Sequence, residues 1–434
     1  DFCATLCLPV LEMLNTSQFE VMVYFNGEVF DRTSQRLRHV VGADNWRFTR
    51  GLTQEMMIGL IQQDEIDVLI DLDGHGPHNQ LPTLAAHPAP VQIKWLGNTA
   101  STGVENIGYW LTDKTQASEA SDLSRVTEAP LHMIEHAYCV YRPFADHPEW
   151  HSMPAFAVQE APSVAKGYLT FGSLASNQGL TRATLALWSR TLHAVEHARL
   201  VLSNQEILAT VREFMVEQGI DPERVYVTQT HLDTPLRLCH EIDIALDTIP
   251  ANECLSTLHT LWMGVPIVTL VGTLPAQRIT ASLLNQLGHE EWVANDEAQF
   301  LDIVRTLAGQ PIAERNAQRH ALRDQMRQSP LLDEVGFTRE FEAKIRSVWQ
   351  AWCNSPAADA AKDHQNQREA LQLCSMLMQQ GDYAQAWNGY KSILTQWPQC
   401  AEALYGLGLN ALLSGQPQQA EQLLTGVGLA VEDR

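Results

Sequence analysis

The stretch from Ile242 to Leu270 constrains this chain most. Ile242-Asp243-Ile244-Ala245-Leu246-Asp247 is a short apolar run that closes on an acid, and Leu255, Leu258, Leu261 and Trp262 then recur at helical spacing. A second apolar run, Ile267 to Leu270, follows. The pattern predicts strand, loop, helix, strand. Gly264 can take the left-handed turn that stops a helix, and Pro266 cannot continue one. Asn252 or Ser256 is expected to cap the helix start through a side-chain oxygen. A helix N-terminus therefore opens at the carboxyl end of a buried strand, where doubly wound sheets hold ligands and where free N–H groups suit a phosphate.

A chain of 434 residues exceeds a single core, so two or three domains are expected. With 45% apolar and 18% charged residues it is globular, and it contains no apolar run of about 18 residues that would span a membrane. Its start, Asp1-Phe2-Cys3, reads as the interior of something longer. Fifty-one acids against 29 bases leave a net charge of −22, which repels a phosphate backbone and argues against nucleic acid as a partner. The eight cysteines are scattered without a C-x-x-C pair, the usage of reduced thiols in a cytoplasmic protein.

Strand and helix signals alternate along the chain. Phe19–Phe25, Ile66–Leu72, the segment led in by Pro88 and Pro90, and Tyr109–Asp113 read as strands of a first domain, residues 1–155. Pro148, Pro154 and Pro162 mark a joint. Tyr168–Ser173, Ala198–Leu202, Arg224–Val227 and the 242–270 stretch form a second domain, 156–352, closed by a helix through Phe337, Phe341, Ile345, Val348 and Trp349. The segment Ala357–Lys362 reads as a small-residue linker. After it, Gly381 and Gly415, Ala386 and Ala420, and Leu373 and Leu407 are each 34 positions apart, so residues 364–434 resemble tetratricopeptide repeats. Two repeats cannot cap both ends of their stack, so Leu404, Leu407, Leu412 and Leu413 are expected to need cover from another protein or a second copy of this chain.

Two H-x-x-E-H strings, His132–His136 and His193–His197, have a metal-ligand spacing, but one abuts a strand and the other straddles a helix end, so no metal is expected. Asp71, Asp73 and His75 cluster at a strand's carboxyl end, where catalytic groups belong in α/β folds or where solvated acids simply collect. Gly172–Leu180 can cradle a phosphate through its backbone or be a plain turn, and it has no lysine.

These residues carry a resemblance. Asp71-Leu72-Asp73-Gly74-His75, Pro88–Gln92 with Trp95-Leu96-Gly97, Phe171-Gly172-Ser173, Leu246-Asp247-Thr248, Asn252, Leu261-Trp262 with Gly264-Val265-Pro266, Arg278 and Ser329-Pro330-Leu331 resemble, in order, the SPINDLY-type protein O-GlcNAc transferases. The resemblance implies a GT-B fold of two Rossmann-like domains, a UDP-sugar held mainly by the second, protein hydroxyls as acceptors and no metal cofactor. It makes His75 and Asp71 the catalytic candidates. Ser173, Gln178, Gly179, Arg182, Asn252, Leu255, Ser256, His259 and Arg278 become the nucleotide-sugar candidates. Family members usually carry the repeats before the catalytic region, whereas here they follow it.

Several contacts depart from the family. On the resemblance, the family's phosphate-binding lysine falls on Gly179, its Gly-x-Thr-Thr at the helix start on Glu253, Cys254, Leu255 and Ser256, its ribose acid on His259 and its early histidine on Asp1. Losing two or three charge-assisted contacts weakens nucleotide binding by roughly three to six orders of magnitude. Two readings remain open: a divergent glycosyltransferase using His75, Arg182, Ser256 and His259, or an inactive relative that binds a protein partner through cleft and repeats. On this alignment the triple change Gly179→Lys, Leu255→Thr and His259→Asp raises UDP affinity without shifting the melting transition.

Overall fold

A computed structural model describes residues 2–97, 100–145, 147–176, 179–202, 205–228 and 235–432. The chain divides into two compact units, Asp1–Ser347 and Val348–Arg434.

In the first unit the apolar runs form short parallel strands. β1 (Val23–Phe25) pairs with β2 (Trp46–Phe48), and β3 (Val68–Asp71), β4 (Val91–Lys94), β5 (Tyr109–Asp113) and β6 (Ala129–Met133) make a four-stranded sheet in sequence order. β7 (Thr170–Gly172), β8 (Arg199–Leu202), β9 (Val225–Val227), β10 (Ile244–Leu246), β11 (Ile267–Leu270) and β12 (Val293–Ala294) make a second sheet, in the order β12-β11-β10-β7-β8-β9. Parallel strands need crossover segments, and the 3.6-residue periods between them supply helices. The apolar N-terminal run is the helix Phe2–Met13, and of the expected strand through Phe19 only Val23–Phe25 pairs. Between β6 and β7 the chain makes 3₁₀ turns at Pro148–Ser152 and Pro154–Phe156 and one short helix at Ser163–Lys166, so no strand joins the two sheets.

The second sheet reverses its strand order between β7 and β10, which opens a crevice outside their carboxyl ends. Both strands are fully buried, and the helix Cys254–Trp262 returns the chain from β10 to β11. Gly264 stops that helix at φ +78°. A side chain there would press on the Arg319 carbonyl, 2.5 Å from an added Cβ.

The helix Ile312–Gln328 braces this sheet with three buried arginines at four-residue spacing, Arg315, Arg319 and Arg323. Arg319, with no exposed surface, donates to the carbonyls of Gln159, Ile242 and Cys239 at 3.1, 2.8 and 3.1 Å. Arg323 donates to Trp262 and Phe156 at 2.6 and 3.0 Å. A planar guanidinium with five donors can serve three carbonyls from two separate segments at once, which lysine cannot.

The four-stranded and six-stranded sheets of this unit meet along a polar seam. Asp113, at the end of β5, accepts from the Tyr138 amide at 3.1 Å and from Ser282 Oγ at 2.6 Å. The Tyr141 amide donates to the Leu331 carbonyl at 2.7 Å and the Asp122 amide to Thr273 at 2.7 Å. Phe337 and Phe341 pack on Trp95 with ring centroids 6.3 and 4.9 Å apart.

The second unit holds the helices Pro356–Gln379, Tyr383–Gln396, Ala401–Leu413 and Pro417–Glu432. The expected linker at 357–362 is helical instead. Ser355 caps the helix by accepting from the Ala358 amide, Pro356 takes the first turn, and the alanines favour helix over coil. Small residues permit the close helix contacts of the repeat: a Cβ at Gly406 would lie 2.4 Å from the Tyr390 ring. Leu407 is buried within the unit's own core beside Tyr390 and Ile393, so it needs no outside cover; Leu412 and Leu413 stay 52% and 53% exposed.

Replacing Arg319 by Met leaves three buried carbonyls without their donor, each worth about 1–3 kcal/mol. Urea denaturation followed by tryptophan fluorescence is expected to show a loss above about 3 kcal/mol in the transition of the first unit. Arg327→Met, at the exposed end of the same helix, serves as the milder comparison.

Candidate active site

The floor of the crevice is the carboxyl end of β10. Asp247, fully buried, accepts from the Thr248 amide at 2.8 Å and from Thr269 Oγ1 at 2.7 Å. Burial pushes its carboxyl up to about 6, against hydrogen bonds from Thr269 and Thr280 that pull the other way. Thr248 then accepts the amide of Asn252 at its carbonyl, 3.0 Å from Asn252 Nδ2. Asn252 is 6% exposed and its Oδ1 has no partner among the described residues.

The helix Cys254–Trp262 begins here, and its start differs from expectation. Glu253 is the N-cap residue and, among the described residues, no side chain caps the helix. Asn252 is turned to Thr248, and Ser256 Oγ donates back to the Glu253 carbonyl at 3.2 Å, so neither supplies the expected cap. The Glu253 carboxylate instead reaches across the crevice to the loop after β7. It accepts from the Ser176 amide at 2.9 and 3.1 Å and from Ser176 Oγ at 2.6 Å.

The remaining candidates of this half occupy different places. Ser173 Oγ accepts from the Ala175 amide at 3.2 Å and shapes the loop after β7. Gln178 lies outside the described residues. Gly179 packs on Thr248, 3.0 Å from the methyl carbon for an added Cβ, and its carbonyl accepts from Thr184 Oγ1. Arg182 opens the helix Arg182–Ala194 and stacks over Phe214 at 5.4 Å. Leu255 is half-buried in the first turn of its helix. His259 contacts Tyr141 edge-on at 5.8 Å, and burial lowers its pKa to about 4, which leaves the ring uncharged at neutral pH. Arg278 donates to the Thr115 carbonyl at 2.8 Å and to Gly272 at 3.0 Å, tying the two halves together.

The other wall belongs to β3 and β4. Asp71, 8% exposed, accepts from the amides of Asp73 and Gly74 at 3.3 and 3.0 Å, and burial raises its pKa. Both oxygens therefore brace the turn that carries His75. His75 is exposed and its Nε2 lies 2.8 Å from the Ser101 carbonyl. That turn runs close to the next one: a Cβ on Gly97, at φ +51°, would fall 2.4 Å from the Leu72 carbonyl.

Sequence reading missed three groups. Lys94, the last residue of β4, is 2% exposed and donates to the Ala100 carbonyl; burial lowers its pKa to about 8 although Glu128 and Asp71 oppose the shift. Burial acts to raise the Glu128 carboxyl, but hydrogen bonds from Thr102 and Ser101 hold it below its usual range. Glu253 is the third. A lone charge in the run Val91–Lys94 was the available signal for Lys94; the partners of Glu128 lie 26 and 27 positions away and that of Glu253 lies 77 away, and they leave no local trace. Among the described residues no three His, Cys, Asp or Glu side chains converge as a metal site. Of the H-x-x-E-H strings, His136 pairs with Glu340 at 2.8 Å and His193 lies 2.8 Å from the Gln218 carbonyl.

The profile of glycosyl transferase family 41 matches residues 4–147 and 162–341, which takes in both sheets and the turns just described. The chain belongs to glycosyl transferase family 41. A tetratricopeptide-repeat profile matches residues 377–434. The tomato (Solanum lycopersicum) protein named "Probable UDP-N-acetylglucosamine–peptide N-acetylglucosaminyltransferase SPINDLY" is 30% identical over 370 residues, 83% of this chain and 39% of the tomato protein. Its barley (Hordeum vulgare) namesake is 31% identical over 325 residues, 72% of this chain and 33% of that protein. This family 41 chain thus spans about two-fifths of the tomato relative's length. A mutant O-GlcNAc transferase of Thermobaculum terrenum superposes with a TM-score of 0.71 at 30% identity, covering 81% of this chain and 65% of that one. The GT-B arrangement expected from sequence is the observed fold class.

Asp247 gives a pH test of the crevice floor. Its folded pKa of about 6 exceeds the ordinary 3.8, so the folded state holds the extra proton between those values. Its contribution to stability is greatest below pH 4 and is lost as pH rises through 6, by about 3 kcal/mol. Asp247→Asn is expected to flatten the stability profile over pH 4–6 relative to the parent, measured by urea unfolding at each pH; an unchanged slope contradicts the assignment.

Proposed function

We propose that the chain transfers a sugar from a UDP-sugar to hydroxyl groups of proteins, without a metal cofactor. The observation that carries this reading is the match to family 41 across both halves, residues 4–147 and 162–341, ranges that include the His75 turn and the β10 floor. The plant SPINDLY relatives and the bacterial O-GlcNAc transferase point to N-acetylglucosamine as the sugar to try first. The repeats suit recognition of a protein acceptor or a second copy, and a cytoplasmic location suits a chain with eight free cysteines.

The geometry supports one division of labour. The His75 Nε2–H donates to the Ser101 carbonyl, which leaves Nδ1 as the lone-pair nitrogen able to take a proton from an acceptor hydroxyl. Asp71 acts as a positioning residue, since both its oxygens already hold backbone amides. The diphosphate is bound by backbone N–H groups at the start of the Cys254–Trp262 helix, where the dipole favours an anion. Asn252 Oδ1, an acceptor without a partner among the described residues, suits a ribose or sugar hydroxyl, not the diphosphate. His259 is uncharged and Arg278 is committed to the Thr115 and Gly272 carbonyls, so neither adds a cation there, and affinity is weaker than in relatives with a lysine in the Gly179 loop.

The triple change considered from sequence needs revision on stability. A side chain at Gly179 meets Thr248 at 3.0 Å, and Asp at 259 places a carboxylate where burial already opposes charge. Its melting transition is expected to fall.

Calorimetric titration with UDP- and GDP-sugars, paired with radiolabelled transfer to a peptide library, tests the proposal. UDP-N-acetylglucosamine is expected to bind in preference to GDP-sugars, and His75→Gln to reduce transfer at least about a hundredfold with UDP affinity unchanged. Absence of binding and transfer with every donor overturns the proposal.

A further inference from the structure

Two buried cysteines meet where the halves of the first unit face each other. Cys139 follows β6, and Cys254 is the first residue of the Cys254–Trp262 helix. They lie 115 positions apart in the chain, yet their sulfurs are 3.5 Å apart, and the residues are 1% and 3% exposed. Both are free thiols, and among the described residues no three His, Cys, Asp or Glu side chains converge as a metal site that would account for the pair. A hydrogen bond to Cys254 and burial push the Cys139 thiol up, so Cys139 rests protonated and sheltered.

A disulfide bond is about 2.05 Å long, so closing one here draws the two sulfurs together by about 1.5 Å. The two sides are not equally free to move. Beside Cys139, the Tyr138 amide donates to Asp113 at 3.1 Å, the Tyr138 carbonyl accepts from Trp95 Nε1 at 2.8 Å, and the Tyr141 amide donates to the Leu331 carbonyl at 2.7 Å. Cys254 stands in the first turn of a helix that, among the described residues, no side chain caps. The head of that helix is therefore the side that shifts, and it carries the first-turn amides assigned to the diphosphate. A shift of about 1 Å takes an N–H···O contact past about 3.5 Å, where it ceases to be a hydrogen bond.

We propose that Cys139 and Cys254 form a reversible disulfide staple between the two halves, closed by a peroxide and opened by a dithiol, and that its closure displaces the helix head and lowers nucleotide-sugar binding. The effect on binding rests on the proposed donor site. One thiolate attacks hydrogen peroxide: a sulfur–oxygen bond forms, the oxygen–oxygen bond breaks and hydroxide leaves, giving a sulfenic acid. The second sulfur attacks the sulfenic sulfur, the sulfur–oxygen bond breaks, and the departing hydroxide takes the thiol proton as water. Two thiols and one peroxide become one disulfide and two waters, with two electrons passing from the sulfurs to the peroxide. Burial makes the first step slow, and contact between the sulfurs makes the second fast.

The test treats the full chain and Cys139→Ala with hydrogen peroxide, alkylates the remaining thiols and maps peptides by mass spectrometry with and without dithiothreitol. UDP affinity is measured by calorimetry before and after treatment. The parent is expected to yield a peptide pair linked through Cys139 and Cys254 that dithiothreitol separates. Its oxidised first unit is expected to melt at least about 5 °C higher and to bind UDP at least tenfold more weakly than the reduced form. Cys139→Ala treated alike is expected to give no linked pair and no change in UDP affinity, which separates the staple from oxidation of the other cysteines. Absence of the linked pair in the parent overturns the proposal. A linked pair with UDP affinity unchanged overturns the control of donor binding. A linked pair in a chain that binds no UDP when reduced bears out the staple and tells against the donor reading instead.

Discussion

Asp71, Asp113, Asp243 and Asp247 stand at the ends of parallel strands or just before them, taken almost wholly out of water, and each regains part of its lost hydration by accepting backbone N–H groups. A buried carboxylate is tolerated only where such donors are fixed in place, so each one dictates the path of the chain beside it. Asp243 joins the Ser163 and Thr170 amides at 3.2 and 2.8 Å, fixing the entry to β7. Asp247 fixes the exit from β10, and Asp71 fixes the turn that presents His75. The crevice is thereby shaped from the backbone outward.

Asp113 extends the same logic across the seam. Its two oxygens serve the Thr115, Gln116 and Tyr138 amides, the Gln116 side chain and Ser282 on the opposite half. Arg278 works the seam from the other side through the Thr115 carbonyl. Side chains that look like ligand contacts in a sequence are here structural ties. The cleft keeps its frame while its anion-binding side chains are few.

Much of the frame was legible because it depends on local pattern. The run Ile244–Leu246, the helix through Leu255, Leu258 and Leu261, and the stop at Gly264 follow from apolar spacing and backbone sterics. The linker at 357–362 was misread because small residues were taken as flexible, when alanines behind a Ser355 cap and Pro356 favour a helix. The cap of Cys254–Trp262 was misassigned for a different reason: Asn252 and Ser256 are good caps in isolation, but a tertiary hydrogen bond to Thr248 claims one and the Glu253 carbonyl the other. Lys94, Glu128 and Glu253 could not be placed from sequence because what defines them is partners brought close only by folding.

A crystal structure of the full chain grown with UDP tests the central claim most directly, namely that a frame set by buried carboxylates leaves backbone donors at the head of the Cys254–Trp262 helix to hold the diphosphate. The account predicts phosphate oxygens within hydrogen-bond distance of the first-turn amides, with Asp247 unmoved. A diphosphate bound elsewhere would contradict it.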